Sequence, residues 1–251
     1  MQAVVNGSTM PVLEIRLDQG EAVITPHGEL SWMSPNIQMS QTTNAGGGRG
    51  GLMNTLKRAV GGGGLFLTQY QAQSGSGLVA FAAKVPGHIV PVDIAPGRDV
   101  IVHRHGWICG TPGVSPTVAL QQSFRGGLWG GEGFVLQRLQ GQGRAWVELG
   151  GEITQYTLAP GQTMLVHPGH VGMFDASVQF AITRVPGIAN KIFGGDGIFL
   201  VALTGPGQIS LQSMPVSGLA HALEPYLVRD GAVAAGEGGA IGGIVGGILR
   251  R

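Results

Sequence analysis

Short apolar runs separated by glycine-centred turns dominate the chain. Leu13, Ile15 and Leu17 alternate with Glu14, Arg16 and Asp18, the period of a strand with one face buried. Gln19-Gly20 interrupts that run, Val23-Ile24 resumes it, His27-Gly28 interrupts again, and Leu30-Ser31-Trp32-Met33 follows. The clearest stretch is 133–180. There Phe134-Val135-Leu136 and Ala145-Trp146-Val147 flank Gly141-Gln142-Gly143, which reads as a hairpin. Apolar positions return after Glu152 until Ala159-Pro160-Gly161, a turn in which proline presets φ and glycine supplies a positive one. Met164-Leu165-Val166 then forms a strand, His167-Pro168-Gly169 breaks it, and 178–182 resumes it. The pattern predicts an antiparallel meander.

The same order recurs. Leu65-Phe66-Leu67, Gly75-Ser76-Gly77 and Leu78-Val79-Ala80-Phe81 match its opening, and Ile198-Phe199-Leu200, Gly205-Pro206-Gly207 and Ile209-Ser210-Leu211 match it again. Ala95-Pro96-Gly97 stands 64 residues before Ala159-Pro160-Gly161, as His103 stands before His167. A common offset across turn and strand predicts internal repetition, with copies near 12–43, 64–125 and 133–186 and a partial one at 197–215. Together they predict one repeat-built, all-β domain over 1–230, in which antiparallel units form a double-stranded β-helix-like architecture. Glycine tracts at 46–51 and 61–64 bracket an insertion, 44–64. Leu52, Leu56 and Val60 share one helical face there, so the insertion is expected to hold one short helix. No glycine run precedes Lys-Ser or Lys-Thr, which excludes a phosphate-binding loop of that kind.

Composition narrows the class. A chain of 251 residues with 43% hydrophobic content is long enough for a sizeable core. Charged residues make up only 12% against 46 glycines, which predicts a tightly turned β-protein with surface covered by other subunits. A net charge of +1 supplies no basic field for nucleic acid. The lone Cys109 sits in an apolar run and reads as a buried small hydrophobe, while the N-terminus lacks the charged and apolar regions of a signal peptide. A cytoplasmic location is expected. The tail at 231–251 carries small-xxx-small spacing at Gly238/Gly242/Gly246, yet Glu237 and many glycines favour a flexible segment over a membrane anchor.

Several motifs in order support a resemblance. Gly51-Leu52 with Leu56-Lys57-Arg58, then Gly64-Leu65-Phe66-Leu67, Pro86-Gly87-His88-Ile89, Gly133-Phe134 with Gly141-Gln142-Gly143, His170 with Phe174-Asp175-Ala176-Ser177-Val178, and Thr204-Gly205-Pro206-Gly207 together resemble the altered-inheritance-of-mitochondria family. Ser210 departs from it, standing where a bulky aromatic is expected. The resemblance implies a fold like the β-helical domain of the tryptophan RNA-binding attenuation protein. It also implies kinship with largely uncharacterised bacterial proteins and a fungal mitochondrial protein linked to inner-membrane organisation. With the roughly threefold repetition it suggests a homo-oligomer, expected to be a trimer.

One pattern points to chemistry. Gly97 followed by His103-Arg104-His105 has the glycine-to-HxH spacing of cupins, and alternate residues of a strand share a face. His103, His105 and His170 are therefore the candidate metal ligands of an alternative, a cupin-like metal-dependent enzyme. The carboxylate that a cupin supplies next is absent, since Trp107, Ile108, Cys109 and Gly110 occupy that region. No Gly-x-Ser-x-Gly elbow, HExxH helix or Cys-x-x-Cys pair appears. Asp93, Asp99, Glu132, Glu148 and Glu152 are scattered and read as solvated strand or turn residues, and the four tryptophans as core or interface packing. The leading expectation is a non-catalytic oligomeric scaffold or binding protein with no catalytic residues and no cofactor.

Overall fold

The computed structural model describes residues 1–42, 67–122, 134–184, 199–223 and 226–227. The expected insertion helix, Trp129, Glu132 and the glycine-rich tail lie outside them. The chain divides into two compact units, Met1–Leu219 and Ala220–Arg251. Every strand of the described residues belongs to the first.

After β1 (Gln2–Asn6) come β2 (Val12–Leu17), β3 (Ala22–Pro26), β4 (Trp32–Met33), β5 (Ile37–Thr42), β6 (Leu67–Ala72) and β7 (Gly77–Ala82). A second six follow: β8 (Gly87–Ile94), β9 (Val100–His103), β10 (Trp107–Gly110), β11 (Val114–Gln122), β12 (Phe134–Gly141) and β13 (Gly143–Gly150). The third six are β14 (Ile153–Leu158), β15 (Thr163–Val166), β16 (Val171–Asp175), β17 (Gln179–Arg184), β18 (Phe199–Thr204) and β19 (Gly207–Gln212). A short helix, α1 (Val216–Leu223), comes after the strands.

One pairing scheme runs through all three sets. In each, the first and third strands pair with the sixth, and the second and fourth pair with the fifth, always antiparallel. Consecutive sets are joined where the second strand of one meets the third of the next, β3 with β10 and β9 with β16. Two six-stranded sheets result, ordered β5-β6-β3-β10-β13-β8 and β11-β12-β9-β16-β19-β14, flanked by β1-β2-β7-β4 and β15-β18-β17. The fold is all-β and antiparallel.

This topology corrects the expected meander. β12 and β13 lie in different sheets, so Gly141-Gln142-Gly143 carries the chain from one sheet to another rather than closing a hairpin. The corner needs glycine at Gly143, where φ is +152° and a Cβ would sit 2.0 Å from the Thr111 Oγ1. Gly75-Ser76-Gly77 and Gly205-Pro206-Gly207 make corresponding crossings, β6 to β7 and β18 to β19.

Alternation along each strand builds the core. Leu13, Ile15 and Leu17 of β2, with Val79 and Phe81 of β7, pack on Val23, Ile37 and Tyr70 from the facing strands. Two further clusters follow, one around Val102, Trp107, Leu139 and Val147, the other around Leu158, Phe174, Val201 and Ile209. Each fully buried side chain of this size contributes about 1.5–3 kcal/mol. Trp107 and Trp146 are buried as expected, and the Trp107 indole donates to the Cys109 carbonyl at 2.9 Å.

Close backbone approach sets another requirement. Gly87 opens β8 opposite Gly150, and a Cβ on it would lie 2.1 Å from the Leu149 carbonyl oxygen and 2.9 Å from the Gly151 nitrogen. Neither neighbour is a flexible side chain. Gly87→Ala is expected to cost about 1–3 kcal/mol, read as a lower denaturant midpoint at unchanged slope. An unchanged midpoint would contradict this packing.

Candidate functional site

β9 ends at His103, and residues 104–106 form a turn. The expectation that His103 and His105 share a strand face is thereby corrected, because the strand stops before His105, which stands exposed in the turn. The His103 ring packs against Gly106 and its Nε2 donates to the Glu148 carbonyl at 3.1 Å, which fixes the neutral Nε2–H tautomer. Desolvation lowers its pKa from 6.5 to about 4, with the neighbouring His105 and Lys84 pushing the same way.

His170 closes a 3₁₀ turn, Pro168–His170, and its Nδ1 bonds the Gln212 carbonyl at 2.8 Å. Its ring meets that of His167 edge-on at 5.8 Å, and burial followed by the charge of His170 lowers the His167 pKa. Among the described residues no three His, Cys, Asp or Glu side chains converge as metal ligands, so His103, His105 and His170 are not brought together. One nitrogen of each of His103 and His170 is engaged by a backbone carbonyl.

The structure gathers a different polar group around Glu148, which the sequence pattern had placed in solvent. Glu148 is 4% exposed. Its Oε1 accepts the backbone N–H of Lys84 at 2.7 Å and of Val85 at 3.1 Å, bracing the segment that leads into β8. Lys84 reaches on to Glu29 through its Nζ, and burial raises the Glu29 pKa against the lowering effect of that ammonium. Sixty-four residues later Gln212 repeats the arrangement: its Oε1 accepts Gly150 N–H at 2.9 Å before β14, and its Nε2 donates to the Gly169 carbonyl at 2.9 Å. Glu148 and Gln212 keep the spacing of His103 and His167, and that shared offset was the signal available in the sequence.

The other carboxylates lie apart. Asp93 pairs with Arg144 at 2.8 Å, Asp99 with Arg138 at 3.4 Å, and Glu152 with His88 at 3.3 Å. Cys109 is fully buried, and burial pushes its thiol pKa well up, which makes it inert as a nucleophile. An open depression lined by His27, Leu30, Met39 and Tyr70 among others includes no carboxylate, cysteine or cationic Lys or Arg. Glu148, Gln212, His103 and His170 all bond backbone groups, which suits them to holding strand connections in place rather than to proton transfer.

Comparison with known proteins bears on these observations. The family model described as Mitochondrial biogenesis AIM24 matches residues 3–214. A crystal structure of a Streptococcus pyogenes protein superposes with a TM-score of 0.69 over 90% of this chain and 99% of that one, at 23% identity, a likeness of fold. Curated proteins give no match.

Proposed function

The chain belongs to the AIM24 mitochondrial biogenesis family, and from that premise we propose that it is a non-catalytic oligomeric scaffold or binding protein, assembled as a homotrimer of repeat-built β chains. The observation that carries this reading is large apolar side chains left exposed on strands: Leu165 56%, Val118 53%, Met39 48%, Trp32 46% and Tyr156 42%. These residues lie on five strands, β4, β5, β11, β14 and β15, and large apolar side chains left in water on strands support coverage by another protein. Low charge along strand edges points the same way. The ligand or further partner belongs to no class that the charge pattern selects, and a net charge of +1 disfavours nucleic acid. The single buried cysteine suits a reducing, cytoplasmic setting, and among the described residues no helix is long and apolar enough to cross a membrane.

The competing metalloenzyme reading needs His103, His105 and His170 on one ion. Elemental analysis of the purified protein separates the two. The expected result is no stoichiometric iron, manganese, nickel or zinc. About one ion per chain, lost on replacing His103 and His105 with alanine, would overturn the scaffold reading in favour of a metal site.

A further inference from the structure

The two flanking sheets are incomplete in complementary ways. Each six-stranded sheet joins the fourth, fifth and second strands of one set to the third, sixth and first of the next. The sheet β15-β18-β17 is the first half of that arrangement alone, ending on β15, and β4-β7-β2 is the second half alone, ending on β4, with β1 beyond β2 at the far side. The joint made twice inside the chain, β3 with β10 and β9 with β16, therefore has one half left over in each flanking sheet.

We propose that β15 of one copy pairs antiparallel with β4 of a second copy, completing between chains a third sheet that repeats the six-strand order, with β1 added at its far edge. This rests on the self-assembly reading above and specifies its surface.

The internal joints fix the register. At β9 and β16, Ile101 opposes Phe174 and Val102 opposes Met173, and at β3 and β10, Ile24 opposes Gly110. Leu165 and Val166 follow Ile101 and Val102 by the 64-residue offset that relates β8–β13 to β14–β19. On the other side, Met33, Gly110 and Phe174 oppose Val79, Ala145 and Ile209, which in turn oppose Ile15, Val92 and Tyr156 on the first strand of each set. Corresponding positions thus set Leu165 against Met33 and Val166 against Trp32.

Exposure distinguishes the made joints from the open one. Ile24 is 1%, Ile101 6% and Phe174 2% exposed where the joints are formed. Leu165, the counterpart of Ile24 and Ile101, is 56% exposed; on β4, Met33, the counterpart of Phe174, is half-buried and the neighbouring Trp32 is 46% exposed, while Val166 stays buried at 6%. An apolar, unpaired edge is a template for a further strand, and the strand that matches its register is carried by every other copy of this chain. Because the two edges differ, the contact is heterologous and builds a ring when its rotation closes, or a filament when it does not. Three chains closing in this way give the proposed trimer. Among the described residues β4 and β15 each pair on one side only.

Single-cysteine additions test the register directly, since directly opposed antiparallel residues lie within disulfide reach and the native Cys109 is fully buried. Met33→Cys and Leu165→Cys proteins, purified separately, unfolded and refolded together, then mildly oxidised, are expected to give a mixed covalent dimer. Neither variant alone should give one. Leu165→Lys is expected to lower the native mass while leaving the circular dichroism spectrum that of a folded β-protein, because the side chain faces solvent within its own chain, with a thermal midpoint lowered only by the lost association. A Met33→Cys/Leu165→Cys double variant that closes only within one chain overturns the proposal, as does a mixture without cross-linked product. If wild type remains multimeric in that case, the joint fails and self-association stands. A wild-type mass of one chain overturns both.

Discussion

Glu148→Ala is expected to lower folding free energy by about 2–4 kcal/mol, whereas Glu148→Gln is expected to cost less than about 1 kcal/mol. The Glu148 carboxylate is buried and one of its oxygens holds two backbone N–H groups, those of Lys84 and Val85. Alanine leaves both donors without that acceptor in a place where water cannot easily replace it. Glutamine keeps the acceptor, and the protein already uses glutamine this way at Gln212. There the amide nitrogen donates to the Gly169 carbonyl, and His105 occupies the corresponding position 64 residues earlier. Denaturant unfolding of the two variants decides the point: equal midpoints would show that the buried acceptor is not what braces the entry to β8.

Acid is expected to weaken the fold through His103. Its folded-state pKa is lowered from 6.5 to about 4, so between those values the unfolded chain binds the proton more readily. The destabilisation is absent above about pH 6.5, grows as pH falls toward 4, and levels off at about 3 kcal/mol below both values. His167, also lowered, acts in the same direction. His103→Gln keeps a donor for the Glu148 carbonyl and removes the titration, so its stability should change less between pH 7 and pH 4 than that of wild type. Parallel pH profiles for the two proteins would contradict the neutral, desolvated ring.

Much of the strand content was legible in local pattern. Leu13, Ile15 and Leu17 alternate because β2 has one face on the core, and Ala159-Pro160-Gly161 ends β14 because its proline and glycine enforce a turn. Partnership was not legible. A glycine pair around one residue looks the same whether the chain folds back on itself or crosses to another sheet, and only distant pairing of β12 with β9 and β13 with β8 decides between them. β16 was missed because Gly172 and Asp175 dilute its apolar signal. At the candidate site, the HxH pattern suggested a shared face that the turn at 104–106 removes, while Glu148 gave no local sign of burial. The burial of Glu148 comes from the convergence of β13 with the segment before β8, a contact between residues 64 apart.

Coverage of the exposed strand surfaces by further copies of the chain, as proposed above, has a direct readout in the native mass. Light scattering on the wild-type protein at micromolar concentration measures this most directly. The expected mass is that of three 25.9 kDa chains, held on dilution through the micromolar range. A mass of 25.9 kDa under those conditions would contradict it.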